Sequence, residues 1–131
     1  MRALNALQAR DGYVDAANVP LLAKAFNVTK AEVKGVISFY DDFTKAPKGE
    51  HVIRICQAEA CQAVGARGLT AHALEKLGIG LGDTTADGKI TVEAVYCLGL
   101  CASGPAAMVG GQLKGRVSAT CLDKAIEEAG Q

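Results

Sequence analysis

Four of the five cysteines fall into two pairs, Cys56 with Cys61 and Cys97 with Cys101, and this spacing limits the fold more than any other feature of the chain. The pattern is C-x4-C, then 35 intervening residues, then C-x3-C. Each pair follows a β-branched run, His51 to Ile55 before the first and Ile90 to Tyr96 before the second, so each is expected just beyond the end of a strand. Sites are commonly built at the carboxyl ends of strands. If the two strands are parallel neighbours, both pairs leave the sheet at one edge, and four thiols far apart in sequence become one site.

The intervening residues favour that arrangement. Leu69 to Leu77 reads as a helix stopped by Gly78, and Asp87-Gly88 as a turn into the second strand; a helix between two strands implies a parallel pair. Beyond the second pair, Ala106 to Val109 and Gln112 to Lys114 flank Gly110-Gly111, a two-residue hairpin signal. Leu122, Ala125, Ile126 and Ala129 then mark a closing helix. The order βαβ followed by ββα is an α/β class with a mixed sheet, the order of thioredoxin-like folds. Pro105, after Gly104, is a candidate cis proline.

The residues ahead of this domain read as helices. Asn18 is expected to cap a turn with Pro20 in its first positions, with Leu21, Leu22, Ala25 and Phe26 along one face. Thr29-Lys-Ala-Glu32 is a capping box, and Val28 with Val33 forms the hydrophobic staple around it. Val33, Val36, Ile37 and Tyr40 continue at helical spacing. The polar stretch Lys45-Ala-Pro-Lys-Gly-Glu50 then breaks the period and reads as a linker, giving an N-terminal helical segment at 1–45 and a second domain at 46–131.

Composition narrows the partners. Lys plus Arg and Asp plus Glu both total 14 and no long basic run occurs, which argues against nucleic acid. The N-terminus lacks the apolar core of a signal peptide, and no stretch reaches the roughly 18 apolar residues of a membrane span. The expectation is a cytoplasmic protein without a membrane span. In a reducing compartment paired cysteines more often hold a metal than a disulfide. Cys121, in Ser118-Ala-Thr-Cys-Leu-Asp, stands apart and reads as a buried structural thiol.

A cluster of two irons and two sulfides takes two thiolates per iron, and each cysteine loop can supply one pair. Structural zinc more often uses C-x2-C knuckles, and dithiol enzymes use C-x-x-C to depress one thiol's pKa. Spacing therefore favours a cluster, then zinc, then a redox dithiol. The small residues Ala58, Ala60, Gly99, Ala102, Ser103 and Gly104 leave room for amides to approach sulfur, although small residues also make tight turns. Four thiolates on an oxidised cluster would leave the site at about −2.

Nothing else in the chain offers catalysis. No Asp or Glu pairs with a histidine at a catalytic spacing, and His51 and His72 lie outside the cysteine loops. Gly78-Ile-Gly-Leu-Gly82 follows a helix rather than a strand and so is a loop, not a dinucleotide fingerprint. Such a chain can carry electrons but has no means of oxidising a substrate alone.

Four stretches together carry a resemblance: Val36-Ile-Ser-Phe-Tyr-Asp-Asp-Phe43, Cys56 to Cys61, Gly82-Asp-Thr-Thr-Ala-Asp-Gly88, and Val95-Tyr-Cys-Leu-Gly-Leu-Cys101 with Pro105 beyond. Over nearly its whole length the chain resembles the thioredoxin-like two-iron ferredoxin subunits that accompany a flavin-containing, NAD-reactive partner. That family includes the peripheral two-iron subunit of complex I and the matching subunit of NAD-reducing hydrogenases. It also includes the gamma subunit of soluble, NAD-dependent, molybdenum- or tungsten-containing formate dehydrogenase, which the loop wording resembles most.

The resemblance implies one [2Fe-2S] cluster held by Cys56, Cys61, Cys97 and Cys101, with FMN and NAD on a partner subunit. It further implies a flavoprotein partner packed on the N-terminal helices and a molybdenum- or tungsten-containing catalytic subunit in the same assembly. Family members usually carry residues ahead of the first helical segment, so Met1 is expected to be an internal or trimmed start. A zinc-stabilised interaction module and a dithiol enzyme working through Cys56 and Cys61 are the rivals.

Overall fold

The structure is a computed structural model describing residues 1–130, and it forms two compact units, Met1–Lys48 and Gly49–Gln131. The first holds three helices: α1 (Arg2–Asp11), α2 (Asn18–Phe26) and α3 (Lys30–Phe39). Leu4, Val14, Val19, Ala23, Val33, Ile37 and Phe43 are its core. Gln8 ties the end of the unit to its beginning. Its carboxamide donates to Gly12 O and Thr44 Oγ1 and accepts from the Thr44 amide at 3.0 Å.

The Thr29 capping box is present in full, with the Thr29 hydroxyl accepting from Glu32 N–H and the Glu32 carboxylate accepting from Thr29 N–H. The expected Asn18 cap is not. Asp15 offers a carboxylate earlier, accepting from Ala17 N–H at 2.9 Å, so Asn18 is already helical and Pro20 lies in the first turn. The buried residues of α2 are Val19 and Ala23, whereas Leu21, Ala25 and Phe26 are exposed. In α3 the buried residues are Val33 and Ile37; the helix stops at Phe39, leaving Tyr40 outside it, edge-on to the rings of Phe39 and Phe43.

In the second unit β1 (His51–Cys56), β2 (Ile90–Val95), β3 (Ala107–Val109) and β4 (Gln112–Lys114) form one mixed sheet of order β2-β1-β3-β4. β1 and β2 are parallel in register His51↔Ile90 to Cys56↔Val95, and the remaining pairings are antiparallel. The β3–β4 turn places Gly110 and Gly111 at φ 55° and 83°, the left-handed values a two-residue hairpin of this kind requires.

Alternation along the strands splits the sheet. Ile53, Ile55, Ile90, Val92 and Ala107 face α5 (Ala66–Leu77) and α6 (Ala119–Gly130), meeting Leu69, Ala73, Leu122, Ile126 and Ala129. The other side carries Arg54 paired with Glu93 at 3.3 Å. Asp123 of α6 bonds His72 Nε2 at 2.8 Å and Lys76 Nζ at 3.2 Å, pinning the two helices together. Cys121, half-buried, packs at the margin of this core.

Candidate metal centre

β1 delivers Cys56 to the carboxyl edge of the sheet, and its parallel neighbour β2 ends opposite it at Val95, two residues short of Cys97. The cysteine pairs therefore converge as the strand reading requires. Backbone bonds fix the edge, with Cys56 N–H donating to Ala106 O at 3.0 Å and Gln57 N–H to Val95 O at 2.8 Å.

Contrary to expectation, Cys61 does not lie in a loop but on a short helix, α4 (Glu59–Ala63), which begins directly after Ala58. A five-residue helix is too short to leave a periodic signal.

The second loop turns sharply. Cys97 adopts φ 92° and Gly99 φ 79°, and the fold brings Gly99 N–H to 3.3 Å from Cys97 Sγ. A 3₁₀ turn at Cys101–Ser103 and a cis Gly104–Pro105 bond complete it. A strap from the segment after β4 holds it down: Arg116 N–H donates to Ser103 O and Val117 N–H to Pro105 O. The loops touch where Gly104 sits, since a Cβ there would come within 3.0 Å of Val64 and 3.4 Å of Cys61 Sγ.

All five cysteines are free thiols. Cys97 Sγ and Cys101 Sγ lie 3.6 Å apart, far beyond a disulfide of about 2.05 Å and close to the roughly 3.8 Å between two sulfurs on one tetrahedral metal with bonds of about 2.3 Å. Among the described residues no three His, Cys, Asp or Glu side chains gather around a single ion position. The thiols approach in pairs, Cys97 with Cys101 and Cys56 with Cys61, an arrangement that suits two metals taking two thiolates each.

Electrostatics distinguish the thiols. Burial pushes the Cys56 thiol up, but N–H groups of Ala58, Cys97 and Leu98, together with the Cys61 side chain, outweigh it and hold Cys56 below the ordinary thiol range. Burial and then the neighbouring Cys56 push Cys61 up, against the Ala106 N–H that favours its thiolate. Cys101 is raised first by the Cys97 side chain and then by its charge. Amides aimed at sulfur, four soft donors and an approach only glycine permits at position 104 fit a metal–sulfide cluster.

The site is lopsided. Cys56 and Cys61 are 1% and 2% exposed, packed with Ala66 and Ala106, while Cys97 and Cys101 are open to solvent. Tyr96, directly before Cys97, is 76% exposed. His51 lies at the far end of β1 and His72 pairs with Asp123, so neither joins the thiols. Of the six small residues expected to free an amide for sulfur, Ala58 and Gly99 present one, whereas the sequence gives no sign of the donors at Cys97, Leu98 and Ala106. Only the backbone path reveals those.

This geometry has counterparts among known proteins. The family model described as thioredoxin-like [2Fe-2S] ferredoxin matches residues 1–130. A component of the NADH-quinone oxidoreductase of Pseudomonas aeruginosa is 34% identical over 127 residues, covering 97% of this chain and 76% of that protein. The HndA component of the NADP-reducing hydrogenase of Solidesulfovibrio fructosivorans is 35% identical over 125 residues, covering 95% and 73%. The solved structure of an NAD+-reducing [NiFe]-hydrogenase in the air-oxidised state superposes with a TM-score of 0.78 at 28% identity over 97% of this chain. The chain spans 22% of that hydrogenase chain's length.

Proposed function

This chain belongs to the thioredoxin-like [2Fe-2S] ferredoxin family, and from that premise we propose that it is the one-electron carrier of a multi-subunit NAD- or NADP-dependent oxidoreductase. Cys56 and Cys61 hold one iron and Cys97 and Cys101 the other. The observation that carries the reading is the meeting of two thiol pairs, one buried and one exposed, beyond the parallel strands β1 and β2. The bound cluster supplies reversible one-electron chemistry at nearly fixed geometry.

The protein's own residues perform the rest. The amides of Ala58, Cys97, Leu98 and Ala106 stabilise negative charge on sulfur. Ala66 and Ala106 keep water from the inner pair. The open side at Tyr96, Cys97 and Cys101 is where a donor approaches, and FMN and NAD on a flavoprotein partner are the expected source and sink. Leu21, Phe26 and Phe39, all more than 60% exposed in the helical unit, offer apolar surface for that partner.

The relatives are components of an NADH-quinone oxidoreductase and an NADP-reducing hydrogenase, and they favour a parent of that kind. The narrower expectation of a molybdenum- or tungsten-containing formate dehydrogenase rests on loop wording alone and takes second place. Among the described residues no helix is long and apolar enough to cross a membrane.

Purifying the native complex and identifying its subunits tests the assignment. A flavoprotein partner with about two iron and two sulfide per copy of this chain is expected. A single zinc, or a metal-free titratable dithiol, would overturn it.

A further inference from the structure

Behind the buried thiols runs a polar chain that the cluster itself does not account for. Gln57 and Gln62 each directly follow a cysteine of the inner pair. Gln62 Nε2 donates to Gln57 Oε1 at 2.8 Å, Gln57 Nε2 donates to Thr70 Oγ1 at 2.6 Å and to Ile55 O at 3.3 Å, and Thr70 Oγ1 donates to Ala66 O at 2.9 Å. We propose that Gln57, Gln62 and Thr70 are positioning residues that set the geometry of the Cys56–Cys61 pair and thereby the electronic state of the cluster. The proposal rests on the iron–sulfur reading above.

The chain has one direction. Because the Thr70 proton goes to Ala66 O, its oxygen must accept from Gln57. Because Ile55 O accepts from the same Gln57 nitrogen, that carboxamide cannot flip without setting oxygen against oxygen. Hydrogen bonds aligned in this way polarise and strengthen one another in a buried setting. Thr70 is buried, and Ala66, the final acceptor, packs against Cys56 and Cys61.

Its anchors explain what it controls. The chain joins the end of β1, helix α4 beside Cys61 and the first turns of α5, and the Gln57 N–H bonds Val95 O, two residues before Cys97. The peptide that follows Gln57 presents the Ala58 N–H to Cys56 sulfur. Loosening Gln57 therefore weakens an amide–sulfur contact, and such contacts favour the more negative, reduced state. Losing the chain should lower the reduction potential.

The test compares full-length holoprotein variants. Thr70→Val keeps the shape and removes the hydroxyl, Thr70→Ser keeps the hydroxyl, and Gln57→Met removes the carboxamide. Thr70→Val and Gln57→Met are expected to show a more negative midpoint potential, altered g values in the reduced-state EPR spectrum, and cluster loss to an iron chelator about ten- to a hundredfold faster. Thr70→Ser should match the parent protein.

A merely structural role would lower melting temperature and leave potential and g values alone. Parental potential, g values and chelator resistance in Thr70→Val and Gln57→Met would overturn the proposal, as would a Thr70→Ser protein behaving like Thr70→Val. Should Gln57→Met fail to accumulate, Thr70→Val and Gln62→Met decide the question by the same measurements. A parent protein lacking iron and sulfide would instead overturn the cluster reading.

Discussion

Serine in place of each cysteine should not have equal consequences, because the two thiol pairs live in different surroundings. At Cys56 the replacement hydroxyl would be buried among groups arranged for a large, polarisable sulfur, and Cys56→Ser is expected to lose most of its iron. At Cys101 solvent reaches the side chain, and Cys101→Ser should retain a cluster with a shifted visible spectrum. Iron analysis and absorbance check both. Gly104 gives a second contrast: at φ −67° its backbone suits any residue, so only the close approach to Val64 and Cys61 forbids a side chain. Gly104→Ala should cost about 1–3 kcal/mol in urea unfolding. Val64→Ala in the same chain should recover much of it, because the 3.0 Å contact is then gone. At this scale the convergence of the four cysteines was legible from spacing and strand order, whereas most of the amide donors were not. A backbone N–H has no residue identity, and where it points depends on the turn, as with Cys97 in its left-handed conformation.

Helices respond to their ends and their cross-links. Thr29→Ala removes the acceptor for Glu32 N–H and should cost about 1 kcal/mol in the unfolding of the helical unit. Glu32 itself is held below the usual carboxylate range, first by the Thr29 N–H and then by its hydroxyl, so its contribution is present above that range and fades in acid. Asp123 behaves alike between α5 and α6, lowered first by its bond to His72 and helped by Lys76. A depressed carboxylate stabilises above its unfolded pKa and loses that contribution as pH falls through the folded value. Asp123→Asn should therefore lower the melting temperature at neutral pH, with the gap closing in acid, as a pH series of thermal melts would reveal. The capping box, the hairpin glycines and the β1 and β2 runs were readable because each rests on local chemistry. The start of α2, the exposed faces of Leu21 and Phe26, and helix α4 were not. Asp15 closes a turn ahead of the helix and outside the expected window, burial is decided by neighbouring helices, and five residues carry too little periodicity.

Each unit of the molecule has its own core, and all four paired cysteines fall in the second. Residues 49–131 produced alone should therefore fold, take up two iron per chain and show the full-length visible spectrum, while failing to co-purify with the proposed flavoprotein partner. A fragment without the spectrum would show that the helical unit is needed to build the site. The parallel pairing of β1 and β2 has a consequence for how the protein comes into being. That pairing closes a long loop through α5, the kind of contact that forms late because its entropy must be met before neighbouring contacts compensate. Until it closes, the chain presents two separate dithiols, each able to grip a stray ion and neither able to hold a whole cluster. The pairing of these strands and the meeting of the four thiols are thus a single event, so a copy in which β1 and β2 have not paired has no complete four-thiol site.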